Sequence, residues 1–163
     1  MKVLVDTSAW SLALRRKDTA MLSPDERKLR TDLIQAVQDG RVAMLGLIRQ
    51  ELLSGIREQA QFDKVKAALA PYLDEPIETA DHEYAARIYN ECRAQGVEAG
   101  TVDILICAVA VRRGWAVLSG DAGLNRCLAI AKKFHTKRAT TATADSAKSK
   151  RGISKARVLA VKP

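Results

Sequence analysis

The sequence predicts an α/β fold, a three-layer α/β/α sandwich in which helices cover both faces of a small parallel sheet. Two observations predict it. Short apolar runs suited to buried strands alternate along the chain with longer segments whose apolar residues recur at helical spacing. Strands that alternate with helices in this way are typical of parallel sheets covered on both faces. The expected strands are residues 2–5, 42–45 and 115–119, with weaker candidates at 75–80 and 156–161.

The predicted helices have recognisable starts and ends. Ser23 is followed by a proline and, three residues on, by Glu26, which together predict a capping box; Gly40 ends this helix. Asp81 and Thr101 are interpreted as the N-caps of two later helices. The expected helices cover residues 7–14, 24–39, 48–57, 61–69, 81–95, 101–113 and 121–134.

The composition is that of one globular domain. A chain of 163 residues with 47% hydrophobic residues is long enough to bury a core. No apolar run reaches the ~18 residues that would span a bilayer, and no signal peptide is recognisable. Three widely spaced cysteines without a CxxC motif indicate reduced thiols in a cytoplasmic protein. Two isolated histidines are too few for a zinc site or a Ser/His triad.

The positive charge is concentrated at the C-terminal end. Residues 1–131 contain 17 Lys/Arg and 18 Asp/Glu, whereas residues 132–163 contain ten Lys/Arg and one Asp. Residues 136–163 are also rich in Thr, Ala, Ser and Lys without apolar periodicity, so we expect a flexible basic tail after a domain of residues 1–135. Such a segment suits contact with a polyanion, and it equally suits a solvated tail.

Four acidic residues fall where a site would form at one edge of the sheet. Asp6 follows the first strand directly, and Asp121 comes two residues after the third. Asp103 lies in the first turn of the most apolar helix, and Glu51 lies shortly beyond the second strand. Because ligands bind outside the carboxyl ends of the strands in open α/β sheets, we expect these carboxylates to meet there.

Each acid also has an ordinary structural interpretation. Asp6 and Asp121 are good N-cap residues, Asp103 complements a helix dipole, and Glu51 suits a solvated helix surface. Their shared placement favours a common site, since clustered like charges are costly unless a cation compensates them. A carboxylate pocket without His or Cys suits Mg²⁺ or Mn²⁺. Such sites activate water for phosphoryl transfer.

The order of the motifs resembles that of the PIN-domain nucleases, and most closely the VapC-type toxins of toxin–antitoxin pairs. The resemblance covers roughly residues 1–130 and rests on "VDTSAW", "ELLSG", "DILICAVAVRRG" and "VLSGDAGL". It implies a PIN-like α/β/α sandwich with Mg²⁺- or Mn²⁺-dependent endoribonuclease activity. The catalytic and metal-binding acids of the family then fall on Asp6, Glu51, Asp103 and Asp121.

The resemblance also implies a set of supporting residues. Ser119 stands where the family usually has a threonine whose hydroxyl supports the site, and Thr7 and Ser8 are placed to support Asp6 in the same way. The chain departs from the family at Gly123, where many relatives have a further acid. Asn125 is nearby and is a candidate to supply an oxygen ligand instead.

The function implied is that of the toxin of a type II toxin–antitoxin system that cleaves transfer or ribosomal RNA. The implied partners are a small cognate antitoxin covering the acidic cleft and a second copy of the chain in a homodimer. Two alternatives remain open: a housekeeping PIN nuclease of RNA processing, and a non-catalytic PIN-like RNA-binding module. A HAD-type phosphatase is disfavoured because it needs a second aspartate where this chain has Ser8.

The near-neutral body leaves RNA affinity to local basic patches or to the tail. The basic side chains of the body are explained equally well as ordinary solvated surface charges. The candidates for RNA contact are Arg15, Arg16, Lys17, Arg49, Arg112 and Arg113.

Overall fold

Three short parallel strands form the sheet at the centre of the molecule. In the computed structural model, which describes the backbone of residues 1–15 and 21–152 and the side chains of residues 1–14 and 21–140, they are β1 (Val3–Val5), β2 (Val42–Ala43) and β3 (Ala116–Leu118). Their order is β2-β1-β3, with β1 paired in parallel to both neighbours. Every residue of β1 is buried. The predicted parallel sheet is confirmed.

The helices of the described residues fall into two groups with the sheet between them. They are α1 (Thr7–Arg15), α2 (Pro24–Gln38), α3 (Gly46–Leu53), α4 (Gln59–Leu69), α5 (Thr79–Ala94), α6 (Thr101–Arg113) and α7 (Ala122–Gly152). In the first group α1 contacts both α2 and α3, and α3 contacts α4; helices α5 to α7 form the second group. Both α2 and α6 contact β3. The predicted α/β sandwich is therefore confirmed.

The start of α2 follows the prediction in atomic detail. The Glu26 backbone N–H donates to the Ser23 hydroxyl at 3.2 Å, and the Ser23 backbone N–H donates to the Glu26 carboxylate at 2.9 Å. Both orphan donors of the first turn are satisfied reciprocally, as a capping box requires. The helix ends at Gln38, and Gly40 then adopts φ +62°, a left-handed conformation that costs glycine little.

The start of α5 differs from the prediction. Glu78 is the N-cap, the helix begins at Thr79, and Asp81 lies at the third helical position with no exposed surface. Arg112 and Arg113, at the end of α6, both donate to its carboxylate. Burial alone would raise the pKa of Asp81, but the hydrogen bond from the Glu78 N–H and the two guanidinium groups lower it on balance. Asp81 is therefore a buried ion-pair partner.

Two further expectations are corrected at the edges of elements. Gly100, not Thr101, is the N-cap of α6. Residues 75–80 form no strand: the sheet edge there is one isolated bridge between Met44 and Asp74, with the Glu75 N–H donating to the Met44 carbonyl at 2.8 Å. The next residue is a proline, which has no N–H to continue a ladder. The weaker strand candidate at 156–161 lies outside the described residues.

The last helix extends well beyond the predicted end near residue 134. Helix α7 runs without interruption to Gly152, so residues 136–152 are helical although no helix was predicted there. Among its side chains up to residue 140, the last apolar one that packs on the core is that of Phe134. Alanine, lysine and arginine favour helix, and no glycine or proline interrupts residues 124–151. Apolar periodicity predicts a helix only where one side of it is buried, and residues 136–140 are all exposed.

The three cysteines lie together in the core between α5, α6 and α7. All are free and buried, as predicted, and the sulfurs of Cys92 and Cys127 are 3.6 Å apart. Burial, with the hydrogen bond to Cys127, raises the pKa of Cys92 to about 12. The hydrogen bond with Cys107 and burial raise the pKa of Cys127. Such thiols remain protonated and unreactive at neutral pH.

Within the described residues no helix combines the length and the apolar character needed to cross a membrane.

Candidate active site

The carboxyl edge of the sheet holds the first of the candidate acids. Because β1 and β3 are parallel and paired with Val5 opposite Leu118, the residues after both strands emerge at the same edge. The Asp6 N–H donates to the Leu118 carbonyl at 3.0 Å, which extends the ladder by one bond. This pairing fixes Asp6 beside the loop that runs from Ser119 to Asp121.

Asp6 is almost fully buried and is held by hydroxyl groups from both strand ends. Its Oδ2 accepts hydrogen bonds from Ser8 Oγ at 2.8 Å and from Ser119 Oγ at 2.9 Å, with the Ser8 N–H at 3.3 Å. The Ser8 hydroxyl itself accepts from the Gly120 N–H at 2.9 Å, and the Ser119 hydroxyl accepts from the Asp121 N–H at 3.0 Å. Each hydroxyl oxygen therefore accepts a hydrogen bond from a backbone N–H, and each hydroxyl donates its own proton to Asp6.

The other oxygen of Asp6 remains available. The Thr7 hydroxyl lies 3.4 Å from Asp6 Oδ1 and 2.7 Å from Glu51 Oε2. A hydroxyl has a single proton, and the shorter distance directs it to Glu51. Thr7 therefore ties Glu51, on α3, to the end of β1, while Asp6 Oδ1 keeps lone pairs for a ligand. Ser8 and Thr7, both expected to support Asp6, contact its carboxylate.

Asp121 lies at the start of α7 and caps it. Its Oδ1 accepts a hydrogen bond from the Leu124 N–H at 2.7 Å. This is the contact that the N-cap interpretation of Asp121 predicts. A Cβ at Gly123 would lie 3.0 Å from that same oxygen, which means that any side chain there would press on the capping carboxylate. Asn125 donates its side-chain amide to the Ser119 carbonyl at 3.1 Å and so braces the loop that carries Asp121.

The pKa of Asp103 is affected by the charges of the other three acids. Burial raises the pKa of Asp103, the negative charges of Asp121, Asp6 and Glu51 raise it further, and only the hydrogen bond from the Gly100 N–H opposes them. The four acids thus share one electrostatic environment, although they come from four separate parts of the chain. This is the arrangement that a bound cation would relieve.

The donor set suits a hard divalent cation, whereas the present geometry is not a closed metal cage. Among the described residues, no group of three or more His, Cys, Asp or Glu side chains is arranged to hold a metal ion. Mg²⁺, however, usually keeps several waters and is held by one or two carboxylates. Asp6 Oδ1, which has no short hydrogen bond, would supply one such ligand. The all-oxygen chemistry of the acids fits Mg²⁺ or Mn²⁺ better than zinc.

The structure also contains contacts that no sequence pattern predicts. The Gly120 N–H, which orients Ser8, is a backbone group with no residue-type signal. Three of the arginines expected to contact RNA are engaged within the protein: Arg49 bonds the Asp74 carboxylate, and Arg112 and Arg113 bond Asp81. Of the other candidates, residues 16 and 17 lie outside the described residues, as does the side chain of residue 15.

Comparison with known families agrees with this geometry. A search of curated proteins finds no significant match. A family model described as the PIN domain matches residues 3–127, which contain the whole sheet and all four acids. PIN domains are generally nucleases that depend on divalent metal ions such as Mg²⁺. Because the match covers well over half of the chain, the protein belongs to the PIN domain family.

Proposed function

We propose that this protein is an endoribonuclease that hydrolyses RNA phosphodiester bonds at Asp6, Glu51, Asp103 and Asp121 with Mg²⁺ or Mn²⁺. Membership of the PIN domain family supports a metal-dependent nuclease. The observation that carries the proposal for this chain is the set of hydroxyl contacts that brings acids from separate elements together. The Thr7 hydroxyl lies between the carboxylates of Asp6 and Glu51, and the Ser119 hydroxyl joins Asp6 to the loop that carries Asp121. Residues that only capped helices would not need these contacts between elements.

Three hydroxyl groups position the carboxylates of Asp6 and Glu51. Ser8 and Ser119 hold one oxygen of Asp6 and leave the other available. Thr7 fixes Glu51 relative to Asp6. A bound divalent cation would neutralise the scissile phosphate and lower the pKa of an attacking water. The carboxylates of Asp6 and Asp103 are the ones we assign to hold it, because Asp6 is immobilised by hydroxyls and the negative charges of three other acids act on Asp103.

The test is cleavage of RNA by the purified protein. We expect single-stranded or loop RNA to be cut with Mg²⁺ or Mn²⁺ and left intact with EDTA. Asp6→Asn should lose most of the activity, since an amide is a poor ligand for a hard cation. It should remain folded, because its amide oxygen can still accept from Ser8 and Ser119. Undiminished cleavage in EDTA, or wild-type rates in a folded Asp6→Asn variant, would rule out this mechanism.

We further propose that the nuclease is the toxin of a type II toxin–antitoxin pair, as the order of its motifs suggests. In this proposal a small antitoxin inserts an arginine among the carboxylates, which a guanidinium can bind in bidentate fashion, and two copies of the chain form a dimer. Expression of the chain alone should arrest growth, whereas Asp6→Asn should be harmless. Co-expression of a small protein from a neighbouring reading frame should restore growth. Growth unaffected by the wild-type chain favours the housekeeping role.

A further inference from the structure

The charge of the molecule is distributed so that a polyanion meets repulsion at the candidate site and attraction along one helix. Four acids share the carboxyl edge of the sheet, and residues 1–131 carry slightly more acids than bases. Residues 132–163 carry ten of the 27 basic residues and one acid. An acidic site that cleaves a polyanion needs a compensating cationic surface elsewhere. This part of the argument rests on the proposed function.

Helix α7 carries the first part of that basic segment. The helix begins directly after Asp121, and among its side chains up to residue 140 the last fully buried one is that of Ala131. Phe134 and His135 are half-buried, and every residue from 136 to 140 is exposed. The described part of α7 therefore has two sections: one that belongs to the core and one that presents all its side chains to solvent.

The exposed section presents a basic face. Lys132, Lys133, Thr136, Lys137 and Thr140 lie at spacings of one, four, five and eight residues, which places them on one side of a helix, and together they line one surface groove. The two threonine hydroxyls donate to backbone carbonyls one turn earlier in the helix. The lysine ammonium groups are therefore the donors that this face offers to an anion.

Two lysines of this face, Lys132 and Lys133, differ from several cations of the body. Neither Lys132 nor Lys133 pairs with a carboxylate in the part of the chain that the structure describes, whereas Arg49, Arg112 and Arg113 each bond an internal carboxylate. Arg138 lies over the Phe134 ring at 5.6 Å, which leaves the edge of its guanidinium group for an anion.

We propose that this basic face of α7 is an RNA-binding arm that holds the phosphate backbone of the substrate whose cleavage occurs at the start of the same helix. At a rise of 1.5 Å per residue, Lys132 to Arg138 lie ~16–26 Å along the helix from Asp121. Three more bases, Lys148, Lys150 and Arg151, fall within the same helix. The arm contacts phosphates and does not read bases, so it sets affinity and not cleavage sequence.

The experiment measures the salt dependence of RNA binding in the Asp6→Asn background, which prevents cleavage. A fluorescein-labelled 24-nucleotide single-stranded RNA of mixed sequence serves as the probe, in anisotropy titrations from 50 to 300 mM KCl. The variant K132Q/K133Q/K137Q/R138Q keeps good helix formers and removes four charges. Each lost phosphate contact lowers the slope of log affinity against log salt by roughly 0.7 for single strands, so we expect a decrease of about 2–3.

A matched control removes four exposed charges from the body, in R27Q/K64Q/K66Q/R93Q. Its slope should stay within about 0.7 of that of the parent. An unchanged slope in the α7 variant, or equal losses in both variants, would overturn the proposal. The proposal would also be overturned if the α7 variant kept its RNA binding but lost binding to a labelled poly-glutamate peptide. The face would then suit an acidic protein partner.

Cleavage assays separate this inference from the proposed function. If the unmodified chain binds RNA through α7 but cuts nothing with Mg²⁺ or Mn²⁺, the nuclease proposal fails while the binding arm stands. If the α7 variant retains the full salt slope while the parent cuts RNA normally, the arm fails while the nuclease stands. Cleavage positions on a long RNA should be the same for the parent and the α7 variant at saturating protein.

Discussion

Asp103 is the residue at which the electrostatic cost of the candidate site can be measured. Burial and the charges of three neighbouring acids raise its pKa, which means that its ionised form is less stable in the folded protein than in water. When Asp103 is ionised, the metal-free fold therefore contains an unfavourable interaction that a neutral side chain would not have. The same crowding is what makes the site attractive to a divalent cation.

We accordingly expect Asp103→Asn to stabilise the metal-free protein and to weaken its response to metal. Because solvent screens a half-buried carboxyl, the gain should be at most about 1 kcal/mol, equivalent to a rise in Tm of about 2–4 °C. Added Mn²⁺ should raise the Tm of the wild type by preferential binding to the folded state, and this rise should be smaller in the variant.

Thermal melts with EDTA and with Mn²⁺ measure both effects. Asp63→Asn, an exposed acid on α4, is the control and should change neither. A lower Tm for Asp103→Asn in EDTA, or a metal response equal to that of the wild type, would contradict a shared acidic site.

At the residue scale, the sequence predicts that Asp6 and Asp121 lie at one edge of the sheet, but not how their carboxylates are held. Asp6 and Asp121 are recognisable because they follow apolar strands, and parallel pairing then places them at one edge. The available oxygen of Asp6 depends on the directions of the Ser8 and Ser119 hydroxyl protons, which in turn depend on backbone N–H groups of the 119–121 loop. Such directions follow from three-dimensional contacts and leave no pattern in residue types.

At the scale of elements, the ion pairs of Asp81 join α5 to the end of α6. The carboxylate has no exposed surface, while the Arg112 and Arg113 side chains are about one quarter exposed. Removing one partner of a buried ion pair leaves the other groups poorly satisfied. The sequence allowed Asp81 only as a helix cap, because its partners come 31 and 32 residues later and carry no local signal. Caps with a local signature, such as that of Ser23 and Glu26, were predicted correctly.

We expect Asp81→Asn to destabilise the fold by about 2–4 kcal/mol at pH 7. The pKa of Asp81 is lowered in the folded protein, so its stabilising contribution is present above its ordinary value of 3.8 and is lost as the pH falls through the folded pKa. The difference in stability between wild type and variant should therefore shrink below about pH 4.

Urea denaturation at pH 7 and pH 3 measures this difference. Asp32→Asn, which removes an exposed ion pair with Lys28 on α2, is the matched control and should cost no more than about 0.5 kcal/mol. Equal costs for the two variants at pH 7 would show that the ion pairs of Asp81 do not stabilise the packing of α5 against α6.

At the scale of the whole molecule, the sequence predicts the sheet, its parallel order and the sandwich, but it misplaces the end of the last helix. Apolar periodicity reports which side of an element is buried, and it therefore follows β1, α6 and the first part of α7 closely. It is silent where a helix has no buried side, as in residues 136–140. Intrinsic helix propensity, which is independent of burial, is the signal that indicates the longer helix.

The fold should therefore survive removal of the residues beyond 140. The last described contacts with the core are those of Phe134 and His135, which lie against Tyr84, with the Tyr84 hydroxyl 2.9 Å from His135 Nδ1. A chain shortened to residues 1–140 keeps all of them, and its Tm should stay within about 2 °C of that of the full chain. A chain shortened to residues 1–133 loses them, and a cost of about 1–2 kcal/mol should lower its Tm by several degrees. The sequence offers one competing expectation, since residues 156–161 resemble a strand that could complete the sheet. In that case both shortened chains would melt well below the full chain, and calorimetry of the three side by side decides between a core that ends at His135 and one that needs the C-terminal residues.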